Sequence, residues 1–412
     1  MSTFAVPILA IDDVYDHPNA DRLSIIRIRG YEAVAGKAED GSHRFVKGER
    51  IIYVPEGAVV PAAHLKERGY WNEAKDIGLL AGTKGNRVKA ITLRGVLSQG
   101  LVWKTEPLVG AKVKDRATGD IVAQVNPEKP ALAVATAEDG SKTAVMVDFG
   151  DDVADFFGIT KYDPPIPPGL DGDVFGLFEA MFNYDIENAK AFPNLFTEDD
   201  VVTVTEKLHG TFCRMTYMPG IEPRDDLFGD GRVAITSKGL GADGLVFKNT
   251  AFNRQKNVYV RNMLPLVDHF VSACNQDAKG LTVHLMGEVY GAGVQDLKYG
   301  RTEDQGFAAF DVWIEKSGFL AEVEKDYACI AFGVERVPVL FEGFYDKALI
   351  EDFAKGDTTI DGAENIREGV VVTLTGEQDK RPDGNGLGGT LRPICKVVSE
   401  AYLTRKGGTE LQ

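Results

Sequence analysis

Residues 201–214, VVTVTEKLHGTFCR, open with alternating β-branched residues, reach Lys207, and turn at Gly210 before a second strand-like run begins. The acidic Glu198-Asp199-Asp200 that precedes them and the Val/Thr alternation favour a strand over a helix. Lys207 therefore stands where a strand opens into a loop. A lysine there either ends the strand in solvent or acts as a nucleophile, and the remainder of the chain has to decide between the two.

The chain has 412 residues, enough for two or three domains that each bury a core. Its composition, 44% hydrophobic and 26% charged, is that of an ordinary globular protein. The N-terminus MSTFAVPILAIDD has no basic leader and no run of about 18 apolar residues occurs, so a cytoplasmic protein without membrane contact is expected. Cys213, Cys274, Cys329 and Cys395 lie far apart with no C-x-x-C, which points to isolated thiols rather than zinc or disulfides. A net charge of −16 excludes a surface that clings to nucleic acid as a whole. Any such contact must be a local basic patch.

Working outward from Lys207, short apolar runs separated by turns fill residues 1–107 (FAVPILAI, LSIIRIRG, RIIYVPEG, RVKAITLRG, QGLVW), the pattern of a small all-β barrel. Residues 108–165 are weakly patterned and end in YDPPIPPG, which reads as a linker. From 166 to 412, strand-like runs alternate with helical ones such as AEVEKDYACIAF, so an α+β domain is expected. Within it EQDKRPDGNGLGG, 377–389, is turn-rich and expected on the surface.

K-x-[DH]-G by itself is a short pattern with little specificity. Lys207-Leu208-His209-Gly210-Thr211 nonetheless resembles motif I of the covalent nucleotidyltransferases, in the K-x-H-G form that is similar to ATP-dependent RNA ligases. Further segments follow in the order that this family shows. Ser237-Lys238-Gly239 stands at motif Ia. HLMGEVYGAGVQ (284–295), FAAFDVWI (307–314), REGVVV (367–372) and RPICKVVSEAYL (392–403) resemble the later motifs. GITKYDPPIPP (158–168) and NYDIENAKAFPNLF (183–196) resemble the flank before motif I. DHPNADRLSI (16–25) and LRGVLSQGL (93–101) resemble the tRNA-binding OB-fold modules attached to some synthetases, although a turn with a helix cap would also account for the first of these.

The resemblance implies that Lys207 attacks ATP to form a lysyl-adenylate, with Lys396 against the α-phosphate. It implies a nucleotide site made of Glu206, His209, Gly210, Lys238, Glu288 and Phe307. In the strand 307–314, Phe307 and Asp311 are expected on one face and Phe310 on the other, with Phe307 stacking on adenine. Arg214 is assigned to the motif I loop or to substrate phosphate. Glu368, Asp311 and Glu288 are the expected metal residues, for Mg²⁺ or Mn²⁺. Ile394 departs from the K-x-K pattern of the last motif, and Arg392, two residues earlier, is the candidate replacement. The partner implied is RNA with 5′-phosphate and 3′-hydroxyl ends. Two rivals stay open: a capping-type guanylyltransferase or DNA ligase, and a tRNA-binding protein whose nucleotidyltransferase domain is inactive. The first is disfavoured because those enzymes usually carry their OB fold after the catalytic domain, and the second predicts RNA binding without a covalent adduct.

Overall fold

A computed structural model of the chain describes residues 4–105, 112–114, 121–122, 132–137, 140–162, 173–177, 180, 184, 186–238, 245–375 and 393–405. It divides into two compact units, residues 4–162 and 163–412. Among the described residues no helix is long and apolar enough to cross a membrane.

The first unit is built on strands. Arg50–Val54 pairs antiparallel with both Ile8–Ala10 and Leu101–Lys104, while Asp13–Asp16, Leu23–Ile28 and Tyr31–Gly36 form a second sheet. Arg50–Val54 reads as a continuous apolar run because both of its faces are covered. Ile52 and Val54 enter one core, and Ile51 and Tyr53 enter another. Each such side chain contributes about 1.5–3 kcal/mol by leaving water. The strands form separate small sheets, and no closed barrel is formed among the described residues. Short helices at Ala62–Glu67 and Ala154–Phe157 also depart from an all-β unit.

The expected boundary at 107 is corrected. Leu132–Thr136 and Lys142–Met146 form an antiparallel hairpin, and Ala133, Ala135, Val145, Val147, Val153, Phe157 and Ile159 join the core of Ile52 and Trp103. Much of this segment's inward face is alanine, which gives a weak hydrophobic pattern although it packs tightly around larger partners. Most of YDPPIPPG, and all of 377–389, lie outside the described residues.

The second unit is α+β, with two antiparallel-rich sheets. One runs in the order Glu187–Asn188, Ile394–Val398, Gly369–Leu374, Val201–Lys207, Val339–Phe344. The other runs Val233–Ser237, Thr211–Tyr217, Val283–Gly291, Gln305–Ile314, Gly318–Phe319. Helices Val258–Met263, Val267–Asp277 and Glu322–Phe332 supply Val260, Met263, Phe270, Cys274, Cys329 and Phe332 to the main core, against Cys213, Leu285 and Val289 of the second sheet. The chain passes from the first sheet to the second through Leu208-His209-Gly210, so Lys207 lies at the crossing point.

Candidate active site

Alternation along Val201–Lys207 sends Val202 and Val204 into the small core of the first sheet and Thr203, Thr205 and Lys207 to the opposite face. Register places Lys396 on that same face, since Lys396 lies opposite Val371, which lies opposite Thr205. Ile394, opposite Thr373, shares the face but is buried, so the place of the missing basic residue is packed apolar. Arg392 lies outside the described residues.

Lys207 Nζ donates to Glu368 Oε1 at 2.6 Å. Burial alone would push the amine's pKa down, but Glu368 and then Glu288 outweigh it, and the pKa is raised. Beside these two carboxylates Lys207 is favoured as an ammonium. Glu288 reaches the site from the second sheet. Its side chain packs on Gly210, where a Cβ would come within 2.2 Å of the Val289 carbonyl oxygen and 2.8 Å of Glu288 Cγ. Only glycine permits that approach. Burial, opposed by Lys207, pushes the Glu288 carboxyl up to about 8. Exposed Lys238, just past the end of Val233–Ser237, also acts on Glu288.

The raised Glu288 pKa has a consequence for stability. The folded chain holds this proton more tightly than the unfolded chain, so ionisation between about 4.5 and 8 works against folding, and stability is lost as pH rises through the folded value. In chelator and without nucleotide, Glu288→Gln should raise the unfolding midpoint above that of wild type at pH 8.5, with little difference at pH 5. Equal gains at both pH values would remove the titration as the cause.

His209 is buried behind the lysine. Its backbone N–H donates to Tyr299 Oη at 2.7 Å, its Nδ1 lies 2.8 Å from Tyr402 Oη and 3.8 Å from Glu368 Oε2, and its Nε2 lies 2.9 Å from Asp296 Oδ1. Arg405 donates to both oxygens of Asp296, at 2.7 and 3.0 Å. Burial, more than any partner, holds the His209 pKa below its usual value. Asp296, Tyr299, Tyr402 and Arg405 were not singled out by sequence. Tyr402 lies in the short helix Glu400–Leu403 after the last strand, capped by Ser399, which accepts from Tyr402 N–H, and Arg405 comes just beyond its end. Tyr402→Phe should cost about 1 kcal/mol of stability and slow covalent nucleotide transfer by roughly tenfold, measured by calorimetry and single-turnover labelling. An unchanged rate would make the hydroxyl purely structural.

Three expectations are corrected. A register shift between Met286 and Gly287 sets Ala309, Phe310 and Asp311 against two residues of the neighbouring strand. This bulge breaks the two-residue period and sets Asp311, opposite Met286, on the face of Phe310 and not on that of Phe307, which packs across Gly287 into the helical core, its ring where a Cβ would stand. Phe310 instead clusters with Phe212, Met286 and Tyr184, and Phe212 is paired with Glu288 in the sheet. Asp311 is buried with Tyr184 Oη donating to it at 2.5 Å and Lys325 Nζ at 3.3 Å, so its charge is already matched. Arg214, 2% exposed with Nε 3.4 Å from Thr236 Oγ1, is closed off from a substrate phosphate; burial lowers its pKa to about 10.

Glu206 points to the face away from Lys207. Its Oε2 accepts from Thr359 N–H and Oγ1, both at 2.9 Å, with Arg367 Nε at 3.6 Å. It therefore ties the Thr358–Ile360 loop to the strand before the lysine. Among the described residues no three acidic, histidine or cysteine side chains converge as metal ligands. Glu368 Oε2 is nevertheless buried without a hydrogen-bond partner, and Glu288 lies within its field. Two carboxylates with an unused oxygen suit a hard cation that keeps part of its water shell.

Residues 200–398 match the family model described as RNA ligase. Solved structures of Naegleria gruberi RNA ligase share the fold over nearly the whole of both chains. A lysine-to-methionine mutant with AMP and Mn is 20% identical, covers 96% of this chain and 97% of that one, and has a TM-score of 0.65. A lysine-to-alanine mutant with ATP and Mn is 21% identical with the same coverage and a TM-score of 0.63. The enzyme with PPi is 20% identical, again covering 96% and 97%, with a TM-score of 0.63. No curated protein sequence matches the chain.

Proposed function

We propose, from the match of residues 200–398 to the RNA ligase family model, that this chain is an ATP-dependent RNA ligase working through a covalent lysyl-adenylate on Lys207. The observation that carries the reading is the convergence of Lys207, Glu368 and Glu288 at the crossing between two sheets, with Lys396 on the face of Lys207. The N. gruberi enzymes of the same fold are seen with ATP or AMP and Mn.

In the first step the Lys207 ammonium gives up a proton to water, and the neutral amine so formed attacks the α-phosphorus of ATP. A nitrogen–phosphorus bond forms, the bond to the bridging oxygen breaks, pyrophosphate leaves, and the amine proton is released. A 5′-phosphate oxygen of RNA then attacks the same phosphorus and restores Lys207. Finally the 3′-hydroxyl of a second RNA end attacks the activated 5′-phosphate, forming the phosphodiester and releasing AMP.

In the resting site the amine is held protonated by Glu368. Glu368 and Glu288 would hold Mg²⁺ or Mn²⁺, whose positive charge would offset those carboxylates. His209, locked by Tyr402 and Asp296, positions the far side of Glu368. Lys396 is assigned to the α-phosphate and Lys238 to phosphate at the outer edge of the site. The aromatic face for the base is assigned to Phe310, which shares its sheet face with Glu288; Phe307 does not. Residues 4–162 are assigned an OB-like, RNA-gripping role on the strength of 16–25 and 93–101, and the enzyme a cytoplasmic location, where its four free thiols stay reduced.

The test is incubation of purified protein with α-labelled ATP or GTP and each metal, followed by denaturing electrophoresis. Label from ATP that stays on the protein, and passes to 5′-phosphorylated RNA on chase, is the expected result. Folded, unadenylated protein that takes no label would defeat the reading. Label from GTP alone would favour a capping-type enzyme.

A further inference from the structure

In the first unit, His17 and Asn19 clamp a hairpin turn formed by Arg94 and Gly95. Strands Ile91–Leu93 and Val96–Ser98 pair with Leu93 opposite Val96, leaving a two-residue turn with φ of 47° at Arg94 and 87° at Gly95. Two positive φ values define the turn that suits the twist of a hairpin, and Asn-Gly is its preferred content. Arginine is a poor occupant, since a left-handed backbone crowds any long side chain. The turn is held from outside. His17 Nδ1 accepts from Asn19 N–H at 3.1 Å, so its proton is on Nε2, which donates to the Leu93 carbonyl at 3.0 Å. Asn19 Nδ2 donates to the Arg94 carbonyl at 2.9 Å. His17 is buried, and a Cβ on Gly95 would sit 3.3 Å from Asn19 Nδ2.

The loop that supplies this clamp is itself closed by His17 N–H to the Leu23 carbonyl, and it carries Arg22. Arg22 and Arg94 are both exposed, and neither makes an ion pair among the described residues. Asp16, at the start of the same loop, is paired with Lys37 at 2.5 Å. Between Asp16 and Ile25 the one other acidic residue is Asp21. The hairpin from Lys89 to Gln99 holds no aromatic residue, so the surface is suited to phosphates rather than to stacking on bases.

We propose that Arg22 and Arg94 form a preset clamp for the phosphate backbone of RNA, with the strained turn retained because it aims Arg94. This rests on the ligase reading for the identity of the polyanion. It explains how a chain of charge −16 can hold RNA: the two arginines stand on backbone turns that are hydrogen-bonded to each other, and each guanidinium is exposed for charge-assisted bonds to phosphate.

The test uses the full chain, a fluorescein-labelled single-stranded RNA and a salt series, with wild type, Arg94→Gly, Arg22→Ala and the double variant. The control is Arg29→Gly, because Arg29-Gly30 is a matching turn, with φ of 48° and 80°, at the other end of the Leu23–Gly36 hairpin. The double variant should bind RNA about tenfold or more weakly, with a salt dependence lowered by roughly one per arginine removed. Its lysyl-adenylate formation should match wild type. Arg94→Gly should be at least as heat-stable as wild type, which separates lost binding from lost folding. If the double variant binds as tightly as wild type, or Arg29→Gly weakens binding equally, the clamp is overturned. RNA that fails to bind an adenylating wild type overturns it as well. A wild type that takes no label from ATP counts against the ligase reading and leaves the binding comparison to be judged separately.

Discussion

Lys207→Ala should carry no AMP when incubated with α-labelled ATP and Mn²⁺, under conditions in which wild type is labelled stoichiometrically. Among the described residues no other amine is paired with Glu368. Lys396 shares its sheet face but extends from a different strand, and Lys238 is an exposed residue at a strand end. The variant should stay folded, because Lys207 is partly exposed and its side chain lies outside the apolar cores of the second unit. It should also still seal RNA that is supplied already adenylylated at its 5′ end, because that last step forms no bond to lysine. This split is the informative part. Loss of both reactions would mean that Lys207 acts as a phosphate contact, and residual label in the variant would place the nucleophile elsewhere.

Glu368→Gln should lower the rate of lysyl-adenylate formation by about 10²–10³-fold, the scale on which a preorganised charge acts at a reacting phosphoryl group. The carboxylate has two employments in the folded chain. Oε1 accepts from Lys207 at 2.6 Å, and Oε2 is buried with no hydrogen-bond partner, 3.8 Å from His209 Nδ1. Glutamine keeps the shape but puts an amide where one charged oxygen was. Without the Glu368 charge, the largest upward influence on the Lys207 pKa disappears and burial pulls the amine down. The pH profile of labelling should therefore shift to lower pH even as its maximum falls, and the metal concentration for half-maximal labelling should rise. A fall in rate with an unmoved profile and unchanged metal dependence would reduce Glu368 to a packing role.

The order of short motifs, the nucleophilic lysine, the glycine after it and the acidic residue of REGVVV could all be read from the linear chain. Each depends on local requirements: a strand end, a close approach that excludes a Cβ, a charge before a buried strand. The α+β character of the second unit was equally legible, because helical and strand periodicities differ. What the chain did not reveal came from contacts distant in sequence. The bulge opposite Met286–Gly287 turned Asp311 to the face of Phe310 and away from that of Phe307, and strict alternation along FAAFDVWI could not anticipate it because the extra residue is defined only by the neighbouring strand. Asp311 looked like a metal residue until Lys325 and Tyr184, contributed by a helix and by the segment before motif I, matched its charge and hydrogen bonding. The hairpin 132–146 passed for linker because alanines that fill small gaps carry little hydrophobic signal. The layer behind Lys207, formed by His209, Asp296, Tyr402 and Arg405, joins residues up to 196 positions apart. Sequence by itself determined which chemistry is available, because that depends on residue types and their order. Tertiary structure decided which side chains meet, because burial, pairing and the loss of water are properties of neighbours in space.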